Sequence, residues 1–437
     1  MSENETNLRA LKVPEQGTPE LITTEDKFAG AISELKSGHG PIAIDAERAS
    51  GFRYSSRAYL IQIYRRGGGL HLIDPIQFNQ SPLIGQLNEV IRSEETIIHA
   101  STQDLPCLRD WGIDPKELFD TELGARIAGC PRVGLGHLVE SLLQISLAKE
   151  HSAVDWSIRP LKSEWLDYAA LDVALLIDLR DKVAELLNAQ GKLKWAMQDF
   201  AAILTSPPPQ KRKEPWRKTS GMHEIKSRYQ LAIIRQLWQV RDEIASSIDL
   251  APGRLLSDAV IIALAKSNVK SKEEIMKLSE AKVRIRNEIQ KSYIETWLET
   301  FLAAQSLTQE MWPELRGKCD SLPPVKIWKV KFPIAYAHLS HAKAKLNEIA
   351  VELNIPLENL IGPELVRKVC FDQANEQLHK MSPALLSRVE TQLRLNGARE
   401  WQIEKCSQAL AESLGEAEPL PPSACIAVEN YPEKLIK

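Results

Sequence analysis

Residues 21–205 carry short apolar runs separated by polar stretches, a pattern that predicts strands interleaved with helices. Apolar runs with β-branched residues predict buried strands at 41–47, 58–64, 70–75 and 96–100. The sequence RRGGG stands between the second and third runs and is typical of a hairpin. A hairpin followed by strand–helix alternation predicts an α/β domain, in which helices flank a mixed sheet.

Apolar residues at helical spacing predict the helices of this domain. The segments are 81–93, 102–113, the second part of 116–129, and 163–193. We expect the last segment to form one long amphipathic helix with Ser163 as its N-cap.

A proline-rich basic stretch, TSPPPQKRKEPWRKTSG, interrupts the pattern at 205–221. Consecutive prolines cannot continue a helix, so we place a linker at 206–221. Helical periodicity dominates the chain beyond it. The sequence therefore predicts a disordered tail at 1–20, the α/β domain at 21–205, all-α domains at 222–300 and 325–415, and a flexible tail at 416–437.

The 437 residues, 43% hydrophobic and 26% charged, have the composition of a soluble protein with several domains. No apolar stretch approaches the ~18 residues of a membrane span, and the polar N-terminus is unlike a secretory signal. Six cysteines are scattered without a CxxC pair, which argues against a zinc site or a disulfide framework. These features predict a cytoplasmic protein that has no membrane partner.

Charge is distributed unevenly along the chain. Residues 1–206 contain 21 Lys and Arg against 29 Asp and Glu, a balance of −8, whereas residues 207–437 contain 34 against 29, a balance of +5. The asymmetry is compatible with a solvated surface alone, and equally with a second half that binds a polyanion.

Acidic side chains stand in or beside the apolar segments, where burial makes a charge costly. Asp45 and Glu47 lie two residues apart on a predicted strand and project from the same face. Tyr168 and Asp172 lie four apart on a predicted helix, and Asp104 stands near the start of a short helix. Converging carboxylates need cations, and hard oxygen ligands favour Mg²⁺ or Mn²⁺. Two such ions form the arrangement used for in-line displacement at phosphorus.

Each of these features has an ordinary structural explanation when it is taken alone. A D-x-E pair is common on strand edges, Asp104 is well placed to interact with a helix dipole, and Tyr-x-x-x-Asp is typical of an exposed helix face. Their order, spacing and local context together favour a catalytic site.

The same residues carry a resemblance to a known family. The sequences DAE at 45–47, HASTQDL at 99–105 and DYAALD at 167–172 resemble the three motifs of the ribonuclease D exonuclease domain, of the DEDD superfamily with a ribonuclease-H-like fold. The third motif is the tyrosine variant, and the first has Ala46 where Thr is commoner. Further similar segments, at 119–129, 134–143 and 155–161, extend the resemblance over nearly all of 21–205.

The resemblance implies a metal-dependent 3′→5′ exoribonuclease. Asp45 would bridge two divalent ions, Glu47 and Asp172 would serve the ion beside the attacking water, and Asp104 would serve the ion on the leaving-group side. Tyr168 would orient that water. The products would be nucleoside 5′-monophosphates, released from RNA with a free 3′ end, and tRNA precursors are the expected substrates.

Arg53, Tyr54 and Arg57 follow the first motif closely. They are candidates for contact with a substrate phosphate or a stacked base. The alternative is a solvated loop with a packed tyrosine, and the sequence does not decide between the two.

The basic half carries a second resemblance, to the HRDC domain, through LWQVRDEIA and APGRLLSD within 228–266. Its apolar stripe at helical spacing is typical of a helix core. Lys and Arg outnumber Asp and Glu in residues 266–296, which favours contact with an RNA backbone. Residues 337–411 resemble a second, diverged copy that lacks the APGRLL pattern.

Two other functions stay open at this point. One is a DNA-directed 3′→5′ exonuclease of the same superfamily, although the chain has neither a polymerase segment nor a P-loop. The other is a non-catalytic RNA-binding scaffold, against which the complete carboxylate set argues.

Overall fold

The structure, a computed structural model, describes residues 8–147, 154–208, 212–315, 317, 322–372 and 382–416. Its strands are β1 (Arg9–Leu11), β2 (Leu21–Ile22), β3 (His39–Arg48), β4 (Ala58–Arg66), β5 (Gly69–Ile73), β6 (Glu95–Ile98), β7 (Glu117–Asp120) and β8 (Ile145–Leu147).

Six strands form one sheet in the order β2-β5-β4-β3-β6-β7. Strand β4 pairs antiparallel with β3 and β5, whereas β2–β5, β3–β6 and β6–β7 are parallel pairs. The predicted mixed sheet and the hairpin are therefore confirmed. Consecutive residues Ile42, Ala43 and Ile44 are all fully buried, because both faces of the central strand β3 are covered.

Helices flank this sheet, as the sequence predicts. They are α1 (Glu25–Ser37), α2 (Leu83–Arg92), α3 (Leu105–Trp111), α4 (Thr121–Ile127), α5 (Leu135–Leu138), α6 (Ser163–Ala174), α7 (Leu176–Ala189) and α8 (Leu193–Thr205).

The predicted single helix over 163–193 is wrong. Helices α6 and α7 meet at Leu175, whose ψ of −2° ends the first helix, and Lys162 rather than Ser163 is the N-cap. Helix α6 packs across β3, β4 and β5, whereas α7 packs on α4, β3 and β6. Apolar periodicity alone does not reveal the break, because both halves bury an apolar face against different partners.

The predicted disordered tail at 1–20 is also wrong in part. Strand β1 pairs in parallel with β8, so Arg9 to Leu11 are ordered by backbone hydrogen bonds to a distant segment. Residues 1–7 lie outside the described part of the chain, as do 417–437 in the predicted tail at 416–437.

Two helical regions follow, in agreement with the predicted all-α domains. The first contains α9 (Arg228–Ser247), α10 (Pro252–Leu255), α11 (Asp258–Lys266), α12 (Lys272–Lys277), α13 (Ser279–Arg284), α14 (Glu288–Ser292) and α15 (Ile294–Gln305). The second contains α16 (Trp328–Lys331), α17 (Pro333–Glu352), α18 (Leu357–Leu360), α19 (Pro363–Asp372), α20 (Pro383–Leu395) and α21 (Glu400–Glu416). No helix in the described segments combines the length and the apolar character that crossing a bilayer requires.

The second helical region shares one apolar core with the α/β domain. Trp401 is buried there, stacks on Trp195 with ring centroids 5.1 Å apart, and donates from its indole Nε1 to Asp199 Oδ2 at 2.9 Å. The first helical region instead has a core of its own.

The first helical region contacts the α/β domain through the loop 49–57, which joins β3 to β4. The Arg254 guanidinium lies over the Phe52 ring at 4.0 Å, and its Nε donates to the Gly51 carbonyl at 2.6 Å. Asp249 accepts from the Ser55 backbone N–H at 2.8 Å. The helical region therefore rests on the loop that immediately follows the first acidic motif.

Candidate active site

The central strand β3 presents the first two carboxylates of the site. Because side chains alternate along a strand, Asp45 and Glu47 project from the same face, as predicted. Asp172 joins them from α6, which packs across β3. One carboxylate oxygen from each of the three residues lies within 4.8 Å of the others. The fold thus brings together three acids that are up to 127 positions apart in the sequence.

Tyr168 stands one turn before Asp172 on α6, so the two side chains share a helix face. The tyrosine hydroxyl lies near the Asp172 carboxylate, whose charge acts on it. Both residues line the cavity described below, together with Asp45 and Glu47.

Asp104 occupies the N-cap position of α3, after a loop that leaves the end of β6. Asp120, which the sequence does not single out, holds this loop. Its buried carboxylate accepts from the Ser101 backbone N–H at 2.8 Å, the Ser101 hydroxyl at 2.7 Å and the Leu123 N–H at 3.0 Å. Ala100 adopts a left-handed conformation with φ of 56° in the same loop. The segment that carries Asp104 is therefore fixed from the neighbouring strand β7.

Arg48 is a second side chain of the site that sequence reasoning misses. Alternation along β3 places Arg48 on the face opposite Glu47. The register between β3 and β4 shifts between these two residues, however, and the irregularity redirects the arginine. Its Nη2 lies 3.4 Å from Asp104 Oδ1. The sequence shows that a basic residue directly follows D-x-E, but it does not show the direction in which the Arg48 side chain points.

A cavity of about 490 Å³ surrounds these side chains. Ligand pockets commonly have volumes of roughly 300–1,000 Å³, so the space suits a nucleotide. The lining residues are Asp45, Ala46, Glu47, Arg48, His99, Ala100, Gln103, Asp104, Leu135, Gly136, Leu147, Tyr168, Asp172 and Leu176. His99 turns its Nδ1 to the Thr121 hydroxyl at 2.9 Å.

The acids are destabilised in their charged forms. Burial is the main cause that raises the pKa of Asp45, Glu47 and Asp172, and the charge of Asp45 raises the pKa of the other two further. Burial and the charge of Asp45 raise the pKa of Asp104 to about 8. Burial, followed by the charge of Asp172, also raises the pKa of Tyr168, so its hydroxyl keeps its proton and acts as a donor.

The donor set fits a hard divalent cation. Asp45, Glu47 and Asp172 offer three carboxylate oxygens at mutual distances compatible with one ion, and no soft ligand belongs to the group. A cation there would stabilise the buried charged carboxylates, whose burial raises the three pKa values. Asp104 lies outside this group of three, among the residues that the structure describes, and faces Asp45 and Arg48.

The structure places the other sequence candidates differently. Arg53 Nε donates to the Ser157 hydroxyl at 2.7 Å. The Tyr54 hydroxyl donates to Asp242 Oδ2 at 3.1 Å, and Arg57 Nη2 lies 3.3 Å from Asp249 Oδ2. Tyr54 and Arg57 thus contact the first helical region, and their contact with substrate stays a prediction.

Three family models match the chain. A 3′-5′ exonuclease model matches residues 19–188, an HRDC domain model matches 230–300, and a model of a 3′ to 5′ exonuclease C-terminal domain matches 321–414. The model that matches 321–414 describes an exonuclease C-terminal domain and not an HRDC domain. The interpretation of 325–415 as a diverged HRDC copy therefore stays a prediction.

Individual proteins are similar to the chain as well. Ribonuclease D of Gluconacetobacter diazotrophicus is 30% identical over 254 residues, which are 56% of this chain and 63% of that relative, so the match spans less than two thirds of its length. The crystal structure of a protein from Bifidobacterium adolescentis has a TM-score of 0.83 at 34% identity, over 93% of this chain and 99% of the other.

The fold also matches the structure of Escherichia coli RNase D, described as an exoribonuclease involved in structured RNA processing. The TM-score is 0.63 at 23% identity, over 92% of this chain and 99% of that one. An α/β exonuclease domain, an HRDC domain and a further helical domain follow one another in the present chain. By the family models and the curated relatives, the chain is similar to ribonuclease D: it has a 3′-5′ exonuclease domain, an HRDC domain and a 3′ to 5′ exonuclease C-terminal domain in that order.

Proposed function

We propose that this protein is a 3′→5′ exoribonuclease that depends on Mg²⁺ or Mn²⁺. The observation that carries the proposal is the convergence of Asp45, Glu47 and Asp172 within 4.8 Å, in a cavity that also contains Tyr168 and Asp104. This geometry supports hydrolysis, because an RNA-binding scaffold has no need of buried carboxylates that repel one another.

Asp45, Glu47 and Asp172 would hold one ion, and Asp104 with Asp45 would hold a second. When bound, divalent ions would act as Lewis acids on the phosphate oxygens and would make a water more acidic. The carboxylates fix the positions of these charges before the substrate arrives, which lowers the cost of reorganisation in the transition state.

Tyr168 would hold the attacking water in line with the terminal phosphodiester. Its hydroxyl stays protonated near Asp172 in the substrate-free protein, and Tyr168 lines the cavity. Water attacks the phosphorus atom and the bond to the 3′ oxygen of the preceding nucleotide breaks. The products are a nucleoside 5′-monophosphate and an RNA shortened by one residue with a free 3′ hydroxyl.

The helical half would supply affinity for RNA. The HRDC domain carries the basic tract 266–296 and rests on the loop 49–57 next to the site. A tethered binding domain raises the effective concentration of the RNA end at the cavity. Maturation of tRNA precursors with 3′ extensions is the biological role that we propose.

The test is a nuclease assay on a tRNA precursor with a 3′ extension, with Mg²⁺ or Mn²⁺ and with a chelator. We expect stepwise shortening from the 3′ end, and the variant Asp45→Asn should lose on the order of 1,000-fold or more in rate. The exposed carboxylate variant Asp110→Asn serves as a matched control and should retain the rate of the wild type.

Three outcomes would contradict the proposal. They are the absence of metal-dependent cleavage by the wild type, an undiminished rate for Asp45→Asn with folding intact, and faster cleavage of a DNA strand with the same 3′ sequence. The last result would favour a DNA-directed exonuclease instead.

A further inference from the structure

Arg48 gives the site a positive charge that the carboxylate motif does not predict. Among the described residues that line the cavity, it is the one with a permanent positive charge. The register irregularity after Glu47 places its guanidinium on the Asp104 side of the site, 3.4 Å from Asp104 Oδ1. Asp45 lies between the two parts of the site, because it clusters with Glu47 and Asp172 and also interacts with Asp104.

The contact leaves the guanidinium available to a ligand. The Arg48 side chain is 27% exposed, whereas the Asp104 side chain beside it is 8% exposed. A guanidinium has five N–H donors in a planar fork, and one long ion pair with Asp104 uses few of them. The fork also matches the geometry of a phosphate group.

We propose that Arg48 is a catalytic residue that contacts the scissile phosphate on its leaving-group side. The inference rests on the proposed function, since it assigns a further residue to the same reaction. In the substrate-free protein Arg48 pairs with Asp104, and the RNA phosphate takes over part of that contact when the 3′ end enters. The Asp104 side of the site then receives positive charge from the protein itself in addition to any bound ion.

The chemical step balances without another reactant. The water oxygen forms the new bond to phosphorus and gives up a proton, and the bond between phosphorus and the 3′ oxygen breaks. The electron pair of that bond stays on the 3′ oxygen, which takes up a proton to become a hydroxyl. Arg48 donates hydrogen bonds to the phosphate oxygens while negative charge moves toward the leaving oxygen, and it stays protonated throughout.

The experiment compares full-length wild type, Arg48→Ala and Arg48→Lys in two measurements. The first is the kcat and KM for a 3′-extended RNA with saturating Mn²⁺. The second is the affinity for Mn²⁺ without RNA, by titration calorimetry. Arg66, which pairs with Asp178 and Asp181 outside the cavity, provides the matched control Arg66→Ala.

We expect Arg48→Ala to lower kcat/KM by about 10- to 100-fold, the usual effect of removing a hydrogen bond to a charged group. Arg48→Lys should lose less, because it keeps the charge without the fork. The affinity for Mn²⁺ should be unchanged or up to about tenfold tighter, since a positive charge next to the carboxylates is removed. Arg66→Ala should match the wild type in both measurements.

Two results would overturn the inference. Unchanged turnover in Arg48→Ala would show that the side chain does not contact the reacting phosphate. A parallel loss of turnover and of Mn²⁺ affinity would show that Arg48 acts only by positioning Asp104. An inactive wild type would instead contradict the proposed exonuclease function, so the two failures are distinguishable.

Discussion

At the scale of single residues, the site is governed by the cost of burying negative charge. Asp45 is central to it, because its charge raises the pKa of Glu47, Asp104 and Asp172. The protein keeps these acids near one another although hydrophobic residues there would be more stable. Such an arrangement is characteristic of functional sites, where stability is given up for chemistry.

Tyr168 offers a test of the residue that would orient water. We expect Tyr168→Phe to lower kcat by about 10- to 100-fold, because the water loses its positioning hydroxyl, while RNA affinity stays within about twofold. Single-turnover cleavage and a separate RNA-binding titration measure the two effects. Equal single-turnover rates for both proteins would remove the hydroxyl from the mechanism.

Because the pKa of Asp104 is raised, we expect the stability of the metal-free protein to depend on pH. This pKa is about 8 in the folded state and near 3.8 in the unfolded chain, so the folded state binds the additional proton. The free energy of unfolding must therefore fall as pH rises from 4 to 8. Asp104→Asn removes this group and should gain about 2–5 kcal/mol over the wild type near pH 8.5, but little near pH 4.

Urea unfolding in a chelator, at several pH values, measures this difference. Asp110→Asn on the same helix is the control, because its carboxylate is exposed. A constant difference between wild type and Asp104→Asn across the pH range would contradict the prediction.

At the scale of elements, two local irregularities complete the site. The register shift at the end of β3 aims Arg48 at Asp104, and the left-handed Ala100 lets the chain turn from β6 into α3. The break between α6 and α7 follows directly after the motif that contains Tyr168 and Asp172. Regular strand and helix geometry directs Asp45, Glu47, Tyr168 and Asp172, whereas the points where regularity ends direct Arg48 and Asp104.

Asp120 is the element-scale test, because its carboxylate joins the loop before α3 to the start of α4. Asp120→Ala should cost about 1–3 kcal/mol of unfolding free energy, since buried N–H donors lose their acceptor. Its cleavage rate should fall as well, because Asp104 loses its fixed position. Ser101→Ala removes one of these hydrogen bonds and should cost about 1 kcal/mol. An Asp120→Ala protein with unchanged stability and rate would contradict this view of the loop.

At the scale of the whole molecule, the two helical domains relate to the exonuclease domain in different ways. The C-terminal helices share its core, whereas the HRDC domain keeps a separate core and touches it through the loop 49–57. The exonuclease domain and the C-terminal helices should therefore unfold as one cooperative unit.

Trp401 tests this prediction. Trp401→Ala removes the stacking on Trp195 and the hydrogen bond to Asp199, and should cost about 3–5 kcal/mol in the transition that unfolds the exonuclease domain. This loss of unfolding free energy is measured by denaturant titration, with far-UV circular dichroism and nuclease activity as separate probes. Activity that persists through a transition in which the C-terminal helices unfold would show that the two parts are independent.

The sequence by itself determined the mixed sheet, the helical second half and the resemblance to ribonuclease D, because apolar periodicity and short acidic motifs are local properties of the chain. It also indicated that Asp45 and Glu47 share a face, since alternation along a strand is fixed by backbone geometry. The helix break at Leu175, the pairing of β1 and the direction of Arg48 came only from the tertiary structure. Each depends on contacts between segments far apart in the chain, and such contacts override local preference when they bury surface or pair backbone groups.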